Sequence, residues 1–397
     1  MKQSLNLIAY YFIIMLVFVS CKKDPVNSNS STPGNPTPPV NPPSNYCAGS
    51  YMNRPTINAQ LIPFATLSEA REGIAVASAG SKIVFAGAAS YIGQTSPSTR
   101  VDIYDINTNS WSIAELSVAR QDFAVVTSGT KIFFAGGWKG NWWEFPLMFT
   151  NVDIYDAATD SWSLTHLSEA RAWIGASSAV NKVFFAGGTD NNYQASSKID
   201  IYDTQTNTWS TSKLDEPRSN ISTQIAGGKI FFAGGLNGLY RAPRATVDVY
   251  DINTGLWSVS SMREPKAGMN SFAIGSKIFW AGGVSINYSN YYGNYTTAMV
   301  EIKDVNSQSS SFTCLHEPRG WHNDQKAVVK DNHIVFFTGY PPTNKFDIYD
   351  LANNSLSIGV LNQNIDGASI IAINNTIYVA GGYMNGSLSN VVWKLEF

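Results

Sequence analysis

The chain has 397 residues, with 27 basic and 29 acidic side chains and a formal charge of −2. A balance so close to neutral gives no broad attraction to phosphate backbones, so nucleic acid is not an expected partner. Three cysteines, with no C-x-x-C and no Cys/His ligand spacing, call for no structural zinc, and no metal or cofactor is expected.

In chain order, residues 4–20 ("SLNLIAYYFIIMLVFVS") form an apolar run behind a lone Lys2. Its length suits a signal peptide over 1–20 better than a spanning helix with polar flanks. Phe18-Val19-Ser20-Cys21 resembles a bacterial lipobox. That resemblance implies that Cys21 carries a diacylglycerol and becomes the new N-terminus. Acyl chains at roughly 0.8 kcal/mol per buried CH2 would hold the protein on a membrane without spanning it. "CKKD" from Cys21 is similar to the start of lipoproteins displayed by some Gram-negative bacteria. The expected location is therefore the bacterial outer membrane, on the cell surface or the periplasmic side.

Residues 21–56 are rich in Pro, Asn and Ser and nearly free of apolar side chains until their end. Such a segment buries too little to fold and is predicted to be a tether. Cys47 lies in it and Cys314 in the following domain; the sequence leaves both a bridge and two free thiols open.

From residue 57 to 397 the chain repeats itself. "KIFFAGG" stands at 131–137 and again at 229–235, with close copies at 82–88, 182–188, 277–283 and 376–382. A second signature follows, as in "VDIYDINTNSWS" (101–112) and "IDIYDTQTNTWS" (199–210). Its tryptophans Trp111, Trp162, Trp209 and Trp257 are 51, 47 and 48 residues apart. Each unit holds four short strand candidates: one of small residues, the apolar "KIFFA", an alternating "VDIYD" and a Trp-led strand. The "D-x-N-T-N" segments lack the Gly and Glu of a calcium loop and are predicted to be hairpin turns.

The double glycine, the Tyr-Asp before a turn and the spaced Trp resemble the kelch repeat family, as in the central domain of galactose-oxidase-like proteins. The resemblance implies an all-β, kelch-type β-propeller over 57–397, and the double glycine or its equivalent at 87–88, 136–137, 187–188, 234–235, 282–283, 339–340 and 381–382 makes it seven-bladed. The last unit lacks a Trp-led strand, while "INAQLIPFATLSEAR" (57–71) has only that strand. The N-terminal strand is therefore expected to complete the last blade and close the ring.

Two sets of residues are candidates for function. The links between second and third strands vary most and carry many aromatics interleaved with Asn. The links between units lie on the same face. Together they nominate Trp138, Trp142, Trp143, Tyr193, Tyr240, Arg241, Tyr291, Tyr292, Trp173, Trp321 and His322 as ligand-binding residues. The second set is a repeated cation at Arg71, Arg120, Arg171, Arg218, Lys266 and Arg319, with acids at Glu69, Glu169, Glu216, Glu264 and Glu317. A residue present in every unit is read as structural.

The leading function is a binding module of the cell envelope, with a glycan as ligand and an envelope protein as the alternative partner. The chain is expected to be a monomer. An interaction or adhesion scaffold stands close behind. Third comes a sugar-processing enzyme: kelch proteins that interconvert sialic acid anomers use Arg and Glu near the axis, though their ring has six blades. A copper oxidase is disfavoured, because the four histidines form no ligand set and His166 and His316 fall at outer fourth strands. No catalytic residue is assigned.

Overall fold

The computed structural model describes residue 47 and residues 53–397, apart from 88–96, 141–146, 239–241, 287–293, 321–326, 338–342 and 385. The signal peptide, Cys21 and most of the tether lie outside the described residues. So do Trp142, Trp143, Tyr240, Arg241, Tyr291, Tyr292, Trp321 and His322.

Each repeat folds as an antiparallel four-stranded sheet. In the second repeat the strands are Ala124–Ser128, Lys131–Ala135, Asn151–Asp156 and Ser161–His166, paired in that order. Four further sheets are likewise built from one continuous stretch, beginning at Ala75, Gly175, Ser222 and Asn270, and the sheet beginning at Ala327 adds Thr56–Asn58, Tyr383–Met384 and Ser387–Leu388 to its own four strands. Another sheet is composite. It joins Ser369–Ile373, Thr376–Ala380 and Val391–Glu396 to the N-terminal strand Gln60–Thr66, with Leu61 opposite Leu395. The first strands of successive sheets touch one after another, and Ser369–Ile373 returns to Ala75–Ala79, so the inner strands close a ring.

Packing explains the repeated letters. Ile132, Phe133, Phe134 and Ala135 are all 0 % exposed, because the second strand meets a neighbouring sheet on both faces. The third strand's tyrosine reaches into the following turn. Tyr104 Oη donates to Asn109 Oδ1 at 2.8 Å, and Tyr202 does the same to Asn207. Asn109 and Asn207 sit at φ 53° and 57°, a conformation Asn tolerates better than most side chains. These are turns, with Asp105 Oδ1 accepting from the Asn107 N–H at 2.9 Å. The Trp-led strand covers them, Trp111 lying 5.0 Å from Tyr104 between ring centroids.

The N-terminal segment engages the ring earlier than the expected boundary at 57. Thr56–Asn58 runs parallel to Ile358–Val360. Arg54 approaches Asp347 at 3.5 Å. Cys47 and Cys314 form a disulfide with Cα atoms 5.7 Å apart, which resolves the choice the sequence left open.

Candidate functional site

The repeated cations are fixed in the frame. The side chains of Arg120, Arg171, Arg218 and Lys266 are 0 % exposed, and those of Arg71 and Arg319 are buried. Arg171 shows the arrangement. Its carbonyl accepts from the Gly137 N–H of the preceding sheet at 2.8 Å, while its guanidinium enters the following sheet. There it donates to the Gly187 and Lys198 carbonyls and pairs with Asp200. One residue thereby fastens two sheets. Asp200 also accepts the Ser168 N–H, so both its oxygens are engaged.

Arg71 and Arg218 repeat this with Asp102 and Asp248, while Arg120 pairs with Asp153 and donates to the Phe134 carbonyl. Arg71 accepts from Gly382 of the composite sheet and pairs with Asp102 of the first, so the same device spans the closure. Burial lowers the Arg171 guanidinium from its ordinary value, and the charges of Asp200 and Glu169 act against that shift. The double glycine is where the link backbone docks. A Cβ on Gly136, at φ 67°, would collide with the Arg171 carbonyl.

At Arg319 the device is altered. His316, which lies in the link beyond the outer strand rather than within it, is 5 % exposed and shares Asp347. Its Nδ1 is 2.8 Å from Asp347 Oδ2 and its Nε2 3.2 Å from Glu317 Oε1, while Arg319 stands 3.7 Å from Asp347. Burial works against charge on His316, but the hydrogen bonds to Asp347 and Glu317 prevail and raise its pKa.

What is not repeated lies at the axis. The inner strands surround a cavity of about 720 Å³. Its wall hydroxyls mostly tie neighbouring strands: Thr127 Oγ1 donates to the Ser78 carbonyl at 3.0 Å, and Ser178 Oγ to the Thr127 carbonyl at 2.6 Å. At the link end, the residue two past each of Arg71, Arg120, Arg171, Arg218 and Lys266 adopts a left-handed conformation. Gly73 and Gly268 take φ 61° and 57° at no steric cost, but Asp122, Trp173 and Asn220 stand at φ 50°, 54° and 54°. The Trp173 N–H donates to the Asp122 carbonyl at 3.1 Å, and the Asn220 N–H to the Trp173 carbonyl at 3.0 Å.

An indole at φ 54° is the outlier of this set, since Asp and Asn visit that region readily and bulky residues do not. Strain of this kind amounts to about 1–3 kcal/mol and persists where surrounding structure enforces it. All three residues line the cavity. They form a crescent of carboxylate, indole and amide on consecutive links.

Of the aromatics nominated from sequence, three are described. Trp173 is half-buried at the mouth. Tyr193 lies in the 189–197 link of the same sheet, 36 % exposed, and Thr189 of that link bridges to Ala172. Trp138 needs correction as an open contact surface. It is 3 % exposed, packs 5.8 Å from Trp173 between ring centroids, and donates its indole N–H to Asp122 Oδ2 at 2.8 Å. It braces the mouth. Asp122 and Asn220 went unnominated, although both depart from the glycine found two past other cations.

Sheets stacked around an axis, each with its small-residue strand innermost, define a β-propeller. The family model described as Kelch motif matches residues 177–212 and 366–396, which fall on the third sheet and on the composite one. The chain is a kelch-repeat β-propeller. A solved structure titled "Structure of YjhT" is similar over 83 % of this chain and 95 % of that one, at 14 % identity and a TM-score of 0.50, a likeness of fold. No curated protein matches the sequence.

Proposed function

We propose that this propeller is a binding module that recognises carbohydrate at the mouth of its axial cavity. The observation that carries the reading is Trp173, held in a strained backbone between Asp122 and Asn220 at the cavity entrance. An aromatic face supplies rigid apolar area for a sugar ring, while carboxylate and amide bind its hydroxyls. None of the repeated Arg or Glu side chains lines the cavity among the described residues, so the sugar-processing alternative loses the groups it would need there.

The module is held at the cell envelope by a lipid on Cys21. The Cys47–Cys314 bridge supports this placement, since structural disulfides persist in oxidising compartments. Metabolic labelling with a fatty acid, lost in Cys21→Ser, tests the anchor.

The reading itself is tested by glycan-array binding of the full chain and of Trp173→Gly. Glycine is native at the corresponding positions 73 and 268, so the variant relieves backbone strain while removing the ring. Specific binding that disappears in a folded Trp173→Gly protein supports the proposal. Absence of any glycan binding by the folded native chain refutes it and points to a protein partner.

A further inference from the structure

Two aromatics in the links of the third sheet are held in backbone that bulky residues avoid. Besides Trp173 at φ 54°, Tyr193 stands at φ 58°. A compact turn enforces that conformation. Asp190 Oδ1 accepts the N–H groups of Asn192 and Gln194, each at 2.9 Å. The Asp190 carbonyl accepts the Tyr193 N–H at 3.0 Å, and the Asp190 N–H donates to the Gln194 carbonyl at 3.0 Å. What this turn secures is not burial. The apolar cluster of these links, Trp138, Met148 and Ala172 with Ala170 and Trp173 against it, leaves Tyr193 out, and the Tyr193 side chain is exposed. Asn192 and Gln194 on either side of it are exposed as well.

The turn is also fixed to its surroundings. The Thr189 N–H donates to the Ala172 carbonyl at 2.9 Å and the Ala172 N–H to the Thr189 carbonyl at 3.0 Å. Asn191 Oδ1 accepts the Met148 N–H, from the link of the preceding sheet, at 2.8 Å. The bridge between Ala172 and Thr189 is antiparallel, and this decides where the two rings lie. From Ala172 the chain continues through Trp173 to the inner strand Gly175–Ala179, whereas from Thr189 it runs the opposite way, alongside Arg171. Trp173 is therefore on the axial side of the bridge and Tyr193 on the outer side. An aromatic face held in place before binding lowers the ordering cost of a flexible ligand, and amides beside it suit hydroxyls. One sugar ring cannot cover both faces, since the paired backbone of Ala172 and Thr189 stands between them.

We infer that the ligand is a linear oligosaccharide laid along the links of the third sheet, with one sugar on Trp173 at the cavity mouth and a later one stacked on Tyr193 beside Asn192 and Gln194. This rests on the carbohydrate reading above and adds to it a second subsite. The consequence is a dependence of affinity on chain length.

The test uses the full chain in detergent on an array that carries each glycan backbone as a length series, from monosaccharide to hexasaccharide, with glucans, xylans, mannans and chitin included. Tyr193→Asn and Trp173→Gly are run beside the native protein, with thermal melting of each; both replacements accept the left-handed backbone. In the series that binds, native affinity should rise with length and level off once the chain reaches Tyr193. The loss in Tyr193→Asn should grow along the series, to about threefold to tenfold at the hexasaccharide, while Trp173→Gly should weaken every member. Equal native affinity at all lengths overturns the inference. So does a Tyr193→Asn loss that is absent, or the same at every length; each of these leaves the carbohydrate reading intact. Failure of the folded native chain to bind any glycan removes that reading, and this inference with it.

Discussion

The junctions centred on Arg171 and on Arg319 occupy equivalent places in the ring but are built differently. At the first, Asp200 has the Arg171 guanidinium as its one cation among the described residues, with Glu169 3.4 Å from Arg171 Nε. At the second, Asp347 is shared among His316, Arg319 and Arg54, the last contributed by the N-terminal segment, and Cys314 two residues before His316 carries the disulfide. The repeat sets where a charge must be buried. The irregular junction shows that the same carboxylate can be satisfied by several weaker contacts once a further strand of chain arrives to share the load. Redundancy replaces geometry.

Breaking the regular junction should have the largest effect. Arg171→Ala leaves Asp200 buried without its counter-charge and should lower stability by about 3–5 kcal/mol, read from chemical denaturation. The disulfide comes next. Cys314→Ser frees Cys47 from a closure spanning 267 residues and should cost about 2–4 kcal/mol in the same assay. Arg319→Ala should cost less than Arg171→Ala, about 1–3 kcal/mol, because Asp347 keeps His316 and Arg54. Equal losses at the two arginines would contradict the redundancy argued for the second junction.

The smallest effect is a pH dependence confined to the irregular junction. The pKa of His316 is raised above its unfolded value by Asp347 and Glu317. Its contribution is therefore fully present below the ordinary histidine value of about 6.5. It fades as pH climbs through the raised one. Melting temperatures of the native protein and of His316→Gln should differ most in mild acid and converge at alkaline pH. A difference that grows with pH would reverse the assignment.

Much of this frame could be read from the letters. The double glycines, the fully apolar second strands and the Tyr-Asp turns mark local geometry, and local geometry repeats with the sequence. Partners across the ring were harder to read. Asp200 stands out as a charge inside "KIDIYD", but nothing in that strand says that Arg171, 29 residues earlier, is its partner. The reason is that stacking of sheets, and not strand pattern, brings them together. Trp138 was misplaced for a related reason: a tryptophan opening a variable link reads as exposed until the neighbouring Trp173 and Asp122 are seen to cover it.

The composite sheet has a consequence for how the molecule comes into being. Leu61 is synthesised long before its ladder partner Leu395, so the strand Gln60–Thr66 must wait for all the sheets between them before it can pair. Until then it and the incomplete array present bare edges, the state in which β-proteins associate wrongly. Contacts between residues so far apart along the chain slow folding, because the loop must close before it is rewarded. Maturation of this protein should therefore end with a single late clasping step. Any factor that escorts the nascent chain would have to keep Gln60–Thr66 unengaged until Val391–Glu396 arrives.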